Sequence, residues 1–156
     1  MRGANPRVHK LLYHLYVVEK NGGNVERALE RALLPGIKGE FYYSQSLVKQ
    51  RTMLNYRAAK DLGLFDNGSN LEAMRRGIAP IIQRGPHAGD IVHVDHIIPL
   101  KHAPELGNNL ANLRYLPESE NLSRSASLDK DALTLSEQMR KAGWHPSSQI
   151  AELATP

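Results

Sequence analysis

The sequence predicts an α+β protein that is mostly helical and contains a two-stranded antiparallel hairpin with a helix after it. Apolar residues recur at helical spacing from residue 6 to residue 78, which is the pattern of amphipathic helices. The β-branched run at residues 91–94 and the isoleucines before Pro99 then indicate a short strand. A second β-rich run at residues 113–116 ends at Pro117. A chain of 156 residues with 41% hydrophobic residues has the size and composition of one globular domain, with or without a small appendage.

Two helices are expected in the first 35 residues. Residues 6–20 place four apolar side chains at the spacing i, i+3, i+4, i+7, and the glycine pair after Asn21 ends this helix. Asn24 is expected to cap the second helix, because its side-chain oxygen can accept a hydrogen bond from a backbone amide of the first turn. Pro35 stops that helix, since a proline cannot continue the hydrogen-bond ladder.

A third helix is predicted from about residue 46 to residue 62, with Gly63 at its end. Its apolar positions predict an inward face, formed by Leu47, Leu54, Ala58 and Leu62. Its basic positions predict an outward face that is shared with a tyrosine, formed by Lys49, Tyr56, Arg57 and Lys60. Basic side chains interleaved with tyrosine are typical of nucleic-acid-binding surfaces, although such a face is more often simply solvated.

The remaining helices are predicted from capping residues and prolines. Ser69-x-x-Glu72 has the pattern of a capping box that opens a fourth helix, which Pro80 kinks or ends. Ser119 is expected to cap a helix that runs to about residue 125. A last helix covers residues 133–141, and the tail beyond it is expected to be anchored by Trp144.

Charge is distributed unevenly along the chain. Residues 1–90 hold 14 Lys and Arg against 8 Asp and Glu, and residues 91–156 hold 6 against 8, so the two parts carry +6 and −2. A basic half suits a polyanion partner such as DNA, because Lys and Arg displace condensed counterions from phosphates. A solubilising surface would give the same imbalance.

Several protein classes are excluded by residue content. There is no cysteine, which rules out a disulfide scaffold, cysteine-ligated zinc, an iron–sulfur cluster and a thiol nucleophile. The longest charge-free apolar run, residues 11–18, is too short to span a bilayer, and no signal-peptide cleavage site follows it. A cytoplasmic protein without membrane segments is therefore expected. Four histidines are expected to lie on the surface, namely His9, His14, His102 and His145.

Four polar residues in the strand–loop–strand–helix segment form a candidate hydrolytic site. Asp95 and Asn121 offer one charged and one neutral hard oxygen ligand, which suits a single Mg²⁺ or Mn²⁺ ion that keeps waters and takes further ligands from a substrate phosphate. His96 follows Asp95 directly, so strand alternation turns its side chain to the other face. A neutral His96 is then better suited to accept a proton from water than to share the ion. Asn112 has a donor and an acceptor with which to tie the loop and orient His96.

Three further residues have two interpretations each. His93 shares a strand face with Asp95, so it could touch the metal or the phosphate, or be a half-buried strand residue. Arg114 and Arg124 could bind phosphate near the metal, or be solvent-facing charges.

The motif residues stand in three runs that resemble the HNH endonucleases of the ββα-metal, or His-Me finger, superfamily. The runs are VDHIIPL at 94–100, NNLANLRYLP at 108–117 and ENLSRS at 120–125. Asn121 follows Asn112 by nine positions, which is also the spacing in the HNH domain of the RNA-guided CRISPR nuclease. With the residues that lead up to the motif, the resemblance covers residues 69–128.

The resemblance implies a role for each motif residue. His96 would be the general base, Asp95 and Asn121 the ligands of one divalent metal, and Asn112 the loop-fixing asparagine. The family cuts DNA and leaves 5′-phosphate and 3′-hydroxyl ends. The chain departs from many members in having Asn121 where they have histidine, and in lacking the cysteine pairs that flank the motif.

These observations predict a metal-dependent DNA endonuclease with three regions. Residues 1–68 would form a helical basic region, residues 69–128 the nuclease core and residues 129–156 a helical tail. Lys49, Arg57 and Lys60 are the predicted contacts to the phosphates of a double-stranded DNA. Two alternatives stay open at this point: a catalytically silent fold that binds DNA or another partner, and a nuclease that acts on RNA.

Overall fold

Six α-helices and one antiparallel strand pair make up the described part of the chain, which confirms the predicted α+β class. The structure is a computed structural model that describes residues 4–33, 45–123 and 128–144. The helices are α1 (Ala4–Lys20), α2 (Val25–Leu33), α3 (Gln45–Asp61), α4 (Gly68–Arg75), α5 (Glu118–Ser123) and α6 (Lys130–Lys141). The strands are β1 (Val92–His96) and β2 (Leu113–Pro117), joined by a loop with two short 3₁₀ turns, Pro104–Leu106 and Leu110–Asn112.

Local capping chemistry sets the helix boundaries. Asn24 caps α2 as predicted, since its side-chain oxygen accepts a hydrogen bond of 2.9 Å from the Arg27 amide. Gly63 follows α3 with a φ of +70°, a conformation that favours glycine over residues with a side chain.

The predicted capping box of α4 is wrong. The cap is Asn67, whose side-chain oxygen accepts a hydrogen bond of 2.8 Å from the amide of Asn70. Ser69 therefore lies inside the first turn, because a cap at residue 67 starts the helix at Gly68. The helix ends at Arg75, before Pro80. No described helix combines the length and the apolar character that crossing a membrane requires.

The inward face of α3 differs from the predicted one. Its buried residues are Val48, Thr52, Asn55, Tyr56 and Ala59. Tyr56 is thus buried rather than on the outer face, and Leu54 is 47% exposed rather than inward. The reason is Asn55, which donates 2.8 Å to the Leu113 carbonyl and accepts 3.2 Å from the Tyr115 amide. This polar side chain satisfies two backbone groups of β2, so Asn55 turns inward although it is not apolar. The spacing of apolar residues therefore does not predict the buried face of α3.

The two strands pair in a register that sets out the candidate site. Asp95 lies opposite Arg114, and His96 lies opposite Leu113. Val92 and Val94 are buried, whereas His93 and Asp95 alternate with them and turn to the other face. Helix α5 follows β2 directly and contacts both strands.

Two buried clusters support this arrangement. One joins α1, α2, α3 and α4 to the inward side chains of both strands, so the apolar core continues across the predicted boundary at residue 68. The other joins the loop after β1 to α6 and includes Trp144, which is 5% exposed and anchors the end of the described chain as predicted.

His9 belongs to the core, and its predicted surface position is wrong. It is 3% exposed, and its Nδ1 is hydrogen-bonded to the hydroxyl of Tyr115 on β2. Helical periodicity does not predict that His9 is buried, because the hydrogen-bond partner that makes its burial favourable lies on β2, far along the chain. Burial lowers the pKa of His9 to about 4.

Candidate active site

The carboxylate of Asp95 is held across the sheet by an arginine. The Arg114 guanidinium donates a hydrogen bond of 3.0 Å to Asp95 Oδ2, and both side chains are mostly buried, at 16% and 12% exposure. The second arm of the same guanidinium donates 2.7 Å to Asp131 on α6, which is 63% exposed. Arg114 therefore connects the candidate metal ligand to the last helix.

Helix α5 presents two polar residues, one turn apart, to His93. Asn121 Nδ2 donates a hydrogen bond of 3.0 Å to His93 Nδ1. The Glu118 carboxylate lies 3.7 Å from Nε2 on the other side of the same ring. The structure therefore brings Asn121 and Glu118 of α5 to His93, and Asp95 lies two residues further along β1 on the same strand face as His93.

His96 ends β1 and is oriented by the backbone of the following loop. Its Nε2 lies 3.0 Å from the Gly107 carbonyl oxygen, which can only accept, so Nε2 carries the hydrogen. In the neutral ring, Nδ1 is then the nitrogen with an available lone pair.

Asn112 ties the two ends of that loop together. The residue is fully buried. Its side-chain oxygen accepts 2.7 Å from the Ile98 amide, and its nitrogen donates 3.0 Å to the Ile98 carbonyl and 3.4 Å to the Leu106 carbonyl. Its own carbonyl accepts 2.9 Å from the Ile97 amide, directly after His96. The side chain thus fixes the backbone on both sides of the loop, as the sequence predicts for this position.

The predicted nucleic-acid contacts on α3 are partly engaged with acidic residues. Lys49 donates 2.7 Å to Glu30, which raises the pKa of the lysine and lowers that of the glutamate. Lys60 donates 2.7 Å to Glu19. Arg57 is exposed and forms no ion pair with another residue of the described ranges. Arg124 lies outside the described residues.

Comparison with protein-family models, curated proteins and solved structures gives no match to this chain. The motif and its geometry are therefore what indicate a function.

The motif supplies two oxygen donors of the chemical kind that a small divalent cation takes. No group of three or more His, Cys, Asp or Glu side chains arranged to hold a metal occurs among the residues that the structure describes. The motif offers instead one carboxylate, on Asp95, and one amide oxygen, on Asn121. Two hard oxygen donors with room left for waters and a phosphate are what Mg²⁺ and Mn²⁺ accept, and what Zn²⁺ accepts poorly.

A clasp that sequence reasoning missed holds the start of α5. Asp90 Oδ2 accepts 3.0 Å from the Ser119 amide and 2.8 Å from the Ser119 hydroxyl, and Oδ1 accepts 2.9 Å from the Ile91 amide. These hydrogen bonds, those from Ser119 first, lower the pKa of the Asp90 carboxyl. Ser119 therefore does not cap α5 as predicted; it lies inside the helix and bonds to a residue 29 positions earlier. No local pattern signals a partner at that separation.

Proposed function

We propose that the chain is a metal-dependent endonuclease of the HNH type, with a ββα-metal core formed by β1, β2 and α5, that hydrolyses phosphodiester bonds in DNA. The observation that carries the proposal is the state of His96. Its ring is held through Nε2 by a backbone carbonyl, which leaves Nδ1 as a proton acceptor at the end of the strand that also carries Asp95. The motif resemblance and the oxygen donors of Asp95 and Asn121 support the same reading.

In this proposal His96 is the general base. Nδ1 takes a proton from a water molecule as the water oxygen forms its bond to phosphorus. The bond from phosphorus to the 3′-oxygen breaks, and the leaving oxygen acquires a proton from solvent, which gives 5′-phosphate and 3′-hydroxyl ends. The Gly107 carbonyl stabilises the protonated ring that results, because it accepts from Nε2 in both states.

Asp95 and Asn121 would hold the divalent cation. When bound, the cation supplies positive charge that stabilises the oxygens of the phosphate and of the leaving group. Asn112 contributes indirectly, since it fixes the backbone from which His96 projects.

DNA would be bound through its phosphates by the basic N-terminal helices. Arg57 is the strongest of the three predicted contacts, because Lys49 and Lys60 already pair with glutamates. An Arg57→Glu change should weaken binding to a duplex by a similar factor whatever its sequence, and the wild-type affinity should fall steeply with salt. Fluorescence anisotropy with two unrelated duplexes measures both; salt-independent binding would assign the DNA surface to other residues.

The direct test is nicking of supercoiled plasmid with Mg²⁺ and with EDTA. His96→Ala should lower the rate by about 10²–10⁴-fold, which is the usual contribution of general-base catalysis. His14→Ala, an exposed histidine on α1, is the matched control and should cut at the wild-type rate. Asp95→Ala should be inactive at millimolar Mg²⁺.

The binding of Mn²⁺ separates the roles within the site. His96→Ala should keep the wild-type affinity for Mn²⁺, whereas Asp95→Ala should lose it. If the affinity of His96→Ala collapses together with its rate, His96 is a ligand and the assignment of roles is wrong. If the wild type cuts neither plasmid nor RNA with any divalent ion, the fold is a silent binding module; digestion of RNA alone would change the substrate.

A further inference from the structure

The imidazole of His93 contacts two residues of α5 with its two nitrogens. Nδ1 accepts the hydrogen bond of 3.0 Å from Asn121 Nδ2, so Nδ1 carries no hydrogen. A neutral ring must then carry its hydrogen on Nε2, the nitrogen that faces the Glu118 carboxylate at 3.7 Å. A carboxylate on that side favours this tautomer, as carboxylates do for histidines in metal sites.

The Glu118 carboxylate on the Nε2 side favours this tautomer independently of Asn121, and an Nδ1 without hydrogen pairs with the amide nitrogen of Asn121 and not with its oxygen. An amide has its oxygen and its nitrogen on opposite sides of one carbon, and rotation of the terminal torsion by half a turn exchanges them at little intrinsic cost. Only the oxygen can bind a hard cation. With Nδ2 held by His93, Oδ1 is directed away from the imidazole, so the hydrogen bond selects one of the two orientations.

We propose that His93 is a positioning residue, which holds the Asn121 amide with its oxygen presented as a ligand and does not itself bind the cation. Glu118 completes the chain by keeping the hydrogen of His93 on Nε2. The inference rests on the proposed function, in which Asn121 is a ligand, and it gives His93 a role that neither sequence interpretation included.

Two histidine replacements distinguish positioning from ligation. His93→Gln provides a side-chain carbonyl that can accept from Asn121 Nδ2, whereas His93→Phe keeps a planar ring without an acceptor. Residue 93 is one-third exposed, at 32%, so both variants are expected to fold, which circular dichroism verifies. Asn121 is unchanged in both variants, so a loss of cation affinity in His93→Phe that His93→Gln does not share passes through the orientation of the Asn121 amide.

The first measurement is Mn²⁺ affinity without substrate, by calorimetry at pH 7.5. His93→Phe should bind about 10–100-fold more weakly than wild type, which is the usual effect of removing a residue that orients a metal ligand. His93→Gln should stay within about threefold of wild type, because the acceptor is restored. Wild-type affinity in His93→Phe would overturn the proposal. Equal, large losses in both variants would also overturn it, since they would make the imidazole a ligand.

The second measurement needs no metal. In the ¹⁵N spectrum of the cation-free protein at pH 7.5, His93 Nδ1 should give the signal of an unprotonated nitrogen and Nε2 that of a protonated one. The opposite tautomer would overturn the proposal whatever the binding data show. If the tautomer is as expected but the wild type binds no Mn²⁺, or if Asp95→Ala binds it as well as wild type, the metal site of the proposed function fails and the positioning role fails with it.

Discussion

Replacement of Asn112 by alanine should destabilise the protein more than any other change of a single polar side chain in the loop between the strands. The side chain is fully buried, and its two shorter hydrogen bonds, at 2.7 and 3.0 Å, satisfy the amide and the carbonyl of Ile98. A buried polar group that loses its partner costs about 1–3 kcal/mol. Two such groups on Ile98, with little added for the weaker bond at 3.4 Å to Leu106, give a loss of about 3 kcal/mol.

Urea unfolding followed by tryptophan fluorescence measures this loss. Trp144 is the single tryptophan of the chain, and it packs in the same buried cluster as Ile98. Asn109→Ala is the matched control, because Asn109 is 6% exposed but makes one side-chain hydrogen bond, of 2.9 Å to the Ala111 amide. That variant should lose about 1 kcal/mol, the usual value of a lost cap. Equal losses in the two variants, or a loss below about 1 kcal/mol in Asn112→Ala, would refute the reasoning.

Three other perturbations have expected outcomes. Arg114→Met leaves the mostly buried Asp95 carboxylate without its arginine and should lower the free energy of unfolding by about 2 kcal/mol. Asp131→Asn changes a carboxylate that is 63% exposed and should lower it by under about 1 kcal/mol, so equal shifts of the urea midpoint would contradict this difference. The pKa of His9 is lowered to about 4, below an unfolded value near 6.5, so the unfolded chain binds more protons between these values and stability falls as the pH drops through them. At pH 5 the loss is about 2 kcal/mol, and His9→Gln should lack it when urea midpoints at pH 7 and pH 5 are compared. Asp90→Ala should speed hydrogen exchange of the amides at the start of α5 without changing exchange in α1, and unchanged exchange at α5 would mean that the clasp does not hold the helix.

The elements that could be predicted from the sequence are those with local causes. The start of α2 follows from Asn24, which bonds an amide three residues later, and the end of α3 follows from Gly63. The start of α4 was misassigned because two capping residues, Asn67 and Ser69, stand close together, and local chemistry alone does not rank them. The inward face of α3 could not be predicted, since the partner of Asn55 lies on β2, 58 residues away.

For the candidate site, the sequence predicts which residues belong to it but not how their side chains are oriented. The motif places its polar residues at fixed separations along one strand–loop–strand–helix unit, so these residues could be chosen from the sequence. What orients them could not, because the partners of His96 and Asn112 are backbone carbonyls and amides, which every residue carries. The clasp between Asp90 and Ser119 could not be predicted for a different reason. It joins two residues 29 positions apart, and no periodic pattern in the sequence relates such positions.

Arg114 explains why Asp95, a candidate metal ligand, can be mostly buried when no metal is bound. A carboxylate that is 12% exposed is costly unless a charge or several donors offset it, and the guanidinium at 3.0 Å does so. Binding of a cation would place a second positive charge on the same carboxylate, which weakens the hold of Asp95 on Arg114. The exposed Asp131 would keep the arginine paired in that case, since it accepts its hydrogen bond of 2.7 Å from the other arm of the guanidinium. Under the proposed function, the two aspartates would therefore leave Arg114 with a carboxylate partner both with and without the cation.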